Sequence, residues 1–238
     1  MNPTLKKLKA AFSLTVEETD YLRDLQGAPR SIPAGRQIVV EGGTYNQIFL
    51  LNDGWAFRSK VLPDGRRQIF SYLIPGDLIG LRASLMEFAD DTVEALTDCE
   101  VSSFSLDGLY ETCQTHPRLA VAMMWSAARE QSMLSEQVMR IGRRNAVERI
   151  AHFFLELLRR LQLVDEAGRR SFELPLTQEL IADTLGLSVV HVNRSLRTLR
   201  QRGLLEIVEG RLVIHDVDKL SELASFDPLY LGQATTGA

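Results

Sequence analysis

Leu174–Ile214 reads LPLTQELIADTLGLSVVHVNRSLRTLRQRGLLEIVEGRLVI, and its punctuation spells two short helices, a tight turn and a hairpin. Thr177 is placed to N-cap the first helix, with Glu179 in its first turn, where a carboxylate suits the helix dipole. Leu180, Ile181 and Leu185 form its apolar side, and Ala182 is small enough for a second helix to cross closely. Gly186 ends that helix, Ser188 caps the next, and Gly203 stops the second after about Arg202. At roughly 100° per residue, Val192, Leu196 and Leu199 share one side of the second helix and are expected to face a core. Val190, Arg194 and Arg197 lie opposite, with His191 beside them. Between Ser188 and Arg202 there are four arginines and no acid. Leu204–Glu209 and Gly210–Ile214 then form a hairpin whose two-residue turn needs positive φ at Gly210. A helix dry on one side and cationic on the other, followed by such a wing, suits the major groove of DNA.

Beyond this stretch the chain resembles the Crp/Fnr family of transcription regulators over almost its whole length. LTQELIADTLGLSVVHVNRSLRTLRQRGLL is similar to that family's helix-turn-helix, with Arg194 at its base-contacting arginine. PAGRQIVVEGG, IFLLNDGWAFRSK and PGDLIG resemble the glycine-punctuated strands of its sensor β-roll. The resemblance implies an α+β architecture: an N-terminal antiparallel β-roll over residues 1–115, a long dimerisation helix and hinge over 116–144, and a C-terminal winged helix-turn-helix over 145–238.

Composition is that of an ordinary globular chain, 45% hydrophobic and 24% charged, long enough for two modest cores. No apolar run approaches a membrane span, and MNPTLKKLKA lacks a signal-peptide centre, so a cytoplasmic protein with no membrane partner is expected. Cys99 and Cys113 form no CxxC and no disulfide framework, which suits a reducing compartment. The net charge of −4 is unevenly spread: Arg140–Arg211 holds thirteen arginines against nine acids. A basic reader is thus joined to an acidic body, a polarity that orients a protein on DNA.

In chain order, Leu5–Leu25 reads as one or two helices, with Thr15 as a cap. Short strands rich in Val, Ile and Phe follow at Gln37–Glu41, Gln47–Leu51, Trp55–Leu62, Arg67–Leu73, Thr92–Thr97 and Val101–Ser105. Pro33–Gly35, Gly42–Gly43, Asp53–Gly54, Asp64–Gly65 and Pro75–Gly76 separate them, as in an antiparallel roll or barrel. From about Pro117 the period is helical. Leu119, Met123, Ser126, Glu130, Met133 and Gln137 recur near a 3.5-residue spacing. That stripe can pack on the chain's own roll; the resemblance implies instead that it pairs two subunits about a two-fold axis. Gly142 weakens this helix, and Asn145 caps another whose Val147, Ile150, Ala151, Phe154, Leu157, Leu158 and Leu161 make a core stripe. Val164–Ser171 reads as a polar loop, Asp216–Ala224 as a short closing helix and GQATTGA as a frayed tail.

In cyclic-nucleotide-binding relatives, a Glu after the Gly of the PGDLIG-like stretch accepts from the ribose hydroxyl, and a later Arg neutralises the cyclic phosphate. Here Gly80 is followed by Leu81, and the Arg position at the family's spacing is Asp91, followed by Thr92. A carboxylate repels a phosphate, so cyclic AMP is not expected as effector. Arg82, one residue along a strand, would point to the opposite face. If another small molecule enters the roll, Arg58, Arg67 and Arg82, beside Gly80, Leu81, Asp91 and Thr92, are its candidate neighbours. No cofactor and no metal are expected: two cysteines cannot hold an iron–sulfur cluster, and no histidine precedes His116 to ligate haem in the roll. His116 and His152 read as structural.

The sequence therefore describes a homodimeric regulator of double-stranded DNA, with RNA polymerase as a candidate further partner and its effector unidentified. Arg194 is the expected base reader; Arg197 and Arg200 meet phosphates; Thr177, Ser188, Val190, His191 and Asn193 complete the surface. Val190 stands where some relatives carry a Glu that accepts from cytosine, and its methyls suit a thymine methyl instead. An alternative with the same fold is a ligand-binding module whose helix-turn-helix serves only protein contacts. No nucleophile–base pair, metal spacing or phosphate loop points to an enzyme.

Overall fold

A computed structural model describes residues 2–165, 167–168 and 170–232. The chain divides into two compact units, residues 1–60 with 71–130, and residues 61–70 with 131–238.

The first unit opens with α1 (Pro3–Ala11) and α2 (Val16–Leu25). Asn2 caps α1, and Thr15 and Glu18 form a reciprocal capping box on α2, at 3.1 and 2.7 Å. Eight strands follow: β1 (Arg30–Ile32), β2 (Gln37–Val39), β3 (Gln47–Asp53), β4 (Ala56–Val61), β5 (Arg67–Leu73), β6 (Leu78–Ile79), β7 (Thr92–Ala95) and β8 (Cys99–Ser105). Two helices unforeseen in the sequence, α3 (Leu81–Leu85) and α4 (Leu106–Thr115), interrupt and follow them. The strands form two four-stranded sheets, β1-β8-β3-β6 and β2-β7-β4-β5. The six strands expected are all present, Arg67–Leu73 with the bounds expected and the other five with shifted ends; β1 and β6 are too short to show alternation.

Strand β3 explains how the layers stack. Ile48, Phe49, Leu50 and Leu51 are all buried, because both faces of the strand are covered. Phe49 and Leu51 join Val39, Val93, Ala95 and Val101 in a core shared by the two sheets. Ile48 and Leu50 point the other way, into a second cluster with Leu5, Leu8 and Leu22 from the first two helices. Leu119 and Met123 belong to that second cluster, on the helix α5 (Pro117–Arg143). His116 C-caps α4 and stacks on Tyr21 at 3.8 Å between ring centroids.

The second unit contains α6 (Ala146–Gln162), β9 (Ser171–Glu173), α7 (Gln178–Leu185), α8 (Val189–Gln201), β10 (Leu205–Val208), β11 (Arg211–Ile214) and α9 (Val217–Ala224), then a 3-10 turn at Pro228–Leu231. Asn145 and Glu148 build a capping box at the start of α6. Ile150, Ala151, Phe154, Leu157, Leu158 and Leu161 are buried as the periodicity requires, together with Val192 and Leu199 of α8. Helix α6 packs on both α8 and α9. Strands β10 and β11 form the expected hairpin, and β9, which begins at the last residue of the loop expected over Val164–Ser171, adds a third strand antiparallel to β11. Of the tail expected to fray, residues 233–238 lie outside the described residues.

A polar knot sits inside this unit. Arg140 of α5 is 2% exposed, yet its guanidinium is fully engaged: Nε and one terminal nitrogen lie 3.1 and 3.0 Å from His152 Nδ1, and it also pairs with Glu156 and donates to Gln137 Oε1. Tyr230 donates to the same Glu156 carboxylate at 2.8 Å. Burial, with Arg140 and Arg144 nearby, depresses the His152 pKa from 6.5 to about 2, so its ring is neutral and Nδ1 accepts from the guanidinium. Burial, reinforced by the Glu156 charge, raises the Tyr230 phenol and keeps it a donor.

The His152 shift has a signed consequence. An unfolded histidine takes up a proton near pH 6.5, whereas this one does so only near 2. Its contribution to stability is complete above pH 6.5 and is lost as pH falls through that window, by up to about 1.4 kcal/mol per pH unit. His152→Asn keeps an acceptor for Arg140 and removes the titration. Chemical unfolding between pH 6.5 and 4 is expected to show a shallower pH slope in that variant than in the native chain; equal slopes would contradict the buried neutral histidine.

Candidate nucleic-acid interface

The helix-turn-helix is assembled from its caps inward. Thr177 Oγ1 accepts from Leu180 N at 3.2 Å, and Ser188 Oγ accepts from His191 N at 3.3 Å. Between the helices Gly186 sits at φ 61°, where a side chain would be strained, and its amide closes on Ala182 O. The wing turn places Glu209 and Gly210 both at positive φ, 50° and 76°, as a two-residue turn of the primed type demands.

With Val192 and Leu199 fully buried, the opposite side of α8 is forced to solvent. Val190 is 66% exposed, and His191, Asn193, Arg194, Arg197 and Arg200 are all exposed, as are Thr177 and Ser188. Among the described residues, none of Arg194, Arg197 and Arg200 is paired with a carboxylate. His191 Nδ1 lies 3.1 Å from Ser188 Oγ, and Asn193 Nδ2 donates weakly to Gln178 Oε1 at 3.4 Å. Leu196 departs from expectation. It is only half-buried and lines a cleft of about 640 Å³ with Thr177, Gln178, Asn193, Arg197, Arg200, Glu206 and Ile207. Gln178, Glu206 and Ile207 carried no sequence signal, because only the folded wing brings β10 alongside α8.

The sensor pocket is small and internally neutralised. Gly80, Arg58, Arg82 and Asp91 do line one pocket, with Val39, Ala83, Asp90 and Val93, but the space left is only about 10 Å³. Arg82 faces Asp91 rather than the far side of a strand, because Leu81–Leu85 is helical and the alternation argument does not apply. It also reaches Asp90 at 2.8 Å. Arg58 lies 3.5 Å from Asp91 and pairs with Glu130 of α5. Burial raises the Asp91 pKa against the opposing pull of Arg58 and Arg82. Thr92 Oγ1 accepts from Glu41 N at 3.2 Å, and Leu81 packs against the helical cluster of the first unit. Arg67 is not part of this group: it pairs with Asp183 of α7 at 2.8 Å.

The stripe expected on the dimer seam turns inward. Leu119, Met123, Met133 and Gln137 are buried within the protomer, Ser126 is half-buried, and Glu130 is held by Arg58. About half a turn round the helix lies the exposed apolar row Val121, Met124, Leu134 and Val138. The spacing is as the sequence has it, and within the single chain that stripe is the buried one, since α5 is apolar on two faces.

A capped helix pair with a wing and an unpaired cationic face defines a winged helix-turn-helix DNA-binding regulator, here following an antiparallel β-roll. Comparison with known proteins agrees. Residues 148–223 match the family described as a Crp-like helix-turn-helix domain, and residues 29–116 match the cyclic nucleotide-binding domain. The nitrogen fixation regulation protein FixK of Rhizobium meliloti is 32% identical over 193 residues, 80% of this chain and 83% of that protein. The transcriptional activator protein FnrL of Cereibacter sphaeroides is 30% identical over 218 residues, 90% and 84% of the two chains. The structure of FixK2 from Bradyrhizobium japonicum superposes with a TM-score of 0.75 at 27% identity, covering 82% of this chain and 96% of that one. The chain belongs to the Crp/Fnr family: it is a DNA-binding transcription regulator, not an enzyme. Among the described residues, no helix is long and apolar enough to cross a membrane.

Proposed function

We propose that this regulator works in the cytoplasm as a homodimer on a palindromic operator, without gating by cyclic AMP. In this reading residues 1–115 are a sensor-type roll, 116–144 supply the dimerisation helix and hinge, and 145–238 read DNA. The carrying observation is the exposed, uncompensated cationic side of α8. Arg194 takes a guanine through its bidentate fork, Val190 packs on a thymine methyl, and Arg197 and Arg200 bind phosphates, with Thr177, Ser188, His191 and Asn193 around them. Half-site centres then fall about 10 bp apart. Arg194→Ala is expected to cost about 1–3 kcal/mol and to relax choice at the guanine. Arg200→Ala should weaken all sequences alike and flatten the salt slope, and Val190→Glu should shift preference toward cytosine. Selection from a random duplex pool reads all three; an undiminished guanine preference in Arg194→Ala would overturn the docking.

The partner subunit is met on the exposed row of α5. Val121, Met124, Leu134 and Val138 are 44–65% exposed, an apolar strip that water disfavours and a second copy would cover. Met124→Glu with Val138→Glu puts like charges into that contact. Sedimentation is expected to show a folded monomer with greatly weakened operator binding, and an intact dimer would refute the face.

Independence from cyclic AMP rests on Leu81, which offers a ribose nothing, and on Asp91, already neutralised by Arg58 and Arg82 in a pocket of about 10 Å³. Calorimetric titration with cyclic AMP and cyclic GMP should give no binding; a micromolar affinity for either defeats the proposal.

A further inference from the structure

The first helix of the helix-turn-helix ends in an unusual way. Helix α7 has only eight residues, and its last carbonyls need partners that the helix cannot supply. Ala182 O is taken locally, by the amides of Gly186 and Leu187. The last two of the helix, those of Thr184 and Leu185, are met by side chains from elsewhere. Thr184 O accepts from Gln137 Nε2 of α5 at 2.6 Å and from Gln68 Nε2 of the Val61–Phe70 arm at 3.1 Å; Leu185 O accepts from Arg149 of α6 at 2.9 Å. Thr184 is buried, so its carbonyl has no free access to water.

Gln137 is oriented for this task. The residue is 3% exposed, and its side-chain oxygen accepts from Arg140, a residue that can only donate. The amide nitrogen must therefore face the other way, toward Thr184 O. The polar knot around Arg140 thus fixes the rotamer of a side chain that grips the α7–α8 turn. That turn sets where Ser188 starts α8, and so where the cationic face points.

We propose that Gln137 and Gln68 are positioning residues for the recognition helix: by donating jointly to Thr184 O they hold the α7–α8 turn in its DNA-competent geometry. This rests on α8 being the helix that reads DNA.

The test uses the full chain and three variants. Gln137→Glu keeps the acceptor for Arg140 and the side-chain shape but presents an oxygen to the Thr184 carbonyl. Gln68→Glu makes the same reversal on the half-buried arm, where folding is less at risk. Arg194→Ala is the control that touches DNA reading alone. Affinity is measured for the duplex that the native protein selects from a random pool, alongside hydrogen exchange of the Gly186–Val189 amides. Gln137→Glu is expected to lose at least tenfold in affinity, with at least tenfold faster exchange confined to those amides. Gln68→Glu should lose about two- to fivefold in the same pattern, and Arg194→Ala should lose affinity with native exchange. The proposal is overturned if both glutamate variants bind within twofold of the native chain, or lose affinity with an unchanged turn. Uniformly faster exchange in every element, from both variants, would mark a general packing role and equally overturn it. Failure of the native chain to bind duplex DNA in a salt-dependent manner would instead sink the reading on which the proposal stands.

Discussion

Everything this protein does on DNA depends on one side of α8 being dry. Val192 and Leu199 are fully buried against the second unit's core, where each contributes about 1.5–3 kcal/mol relative to exposure. Rotating the helix to hide the arginines would forfeit that burial and strand several charges in an apolar interior, at a much greater cost. The exposure of Arg194, Arg197 and Arg200 is therefore the other half of a packing decision. The caps at Thr177 and Ser188 and the left-handed Gly186 settle where that helix begins and how it is entered.

What could be read from the chain follows from the range of the interactions. Caps, turns and the apolar side of α6 and α8 are local, written within about seven residues, and the structure has them where the sequence put them, the half-buried Leu196 excepted. Helix α5 defeats the same reasoning because it carries two apolar faces. Leu119 and Met123 meet α1, α2 and β3, while Val121 and Met124 remain outside. A 3.5-residue spacing fits both, and only the position of the roll says which faces inward. Arg82 was misplaced for a different reason: a five-residue helix after Gly80 is too short to leave a periodic trace. Pairings such as Arg67 with Asp183, 116 residues apart in the chain, leave no local signature at all. The candidate site was thus legible where it lies on a single helix. It was not legible where the wing and the arm contribute.

The pocket of the roll is filled by charges that answer one another. Relatives that bind a cyclic nucleotide need a cation facing the phosphate. In the reading proposed above Asp91 stands at that position, and it is answered by Arg58 and Arg82 from the same unit. Arg58 carries the chain of charges on to Glu130, giving that carboxylate a partner inside its own unit. Each member of such a group is held by the others, so its electrostatics are satisfied without any guest.

The Arg140 knot bears on how the sequence can drift. Arg140, His152, Glu156 and Gln137 are all buried and depend on one another for hydrogen bonds. Removing Arg140 or Glu156 alone strands the other's charge in the interior, at about 3–5 kcal/mol, which is a large share of a domain's stability. Replacing several together with apolar groups of similar volume could cost little. The intermediate steps are the expensive ones. The ion pair at the centre of the quartet is thus an evolutionary lock: Arg140 and Glu156 change together or not at all, while the exposed residues of α8, bound by no such mutual dependence, stay free to acquire new operator sequences one substitution at a time.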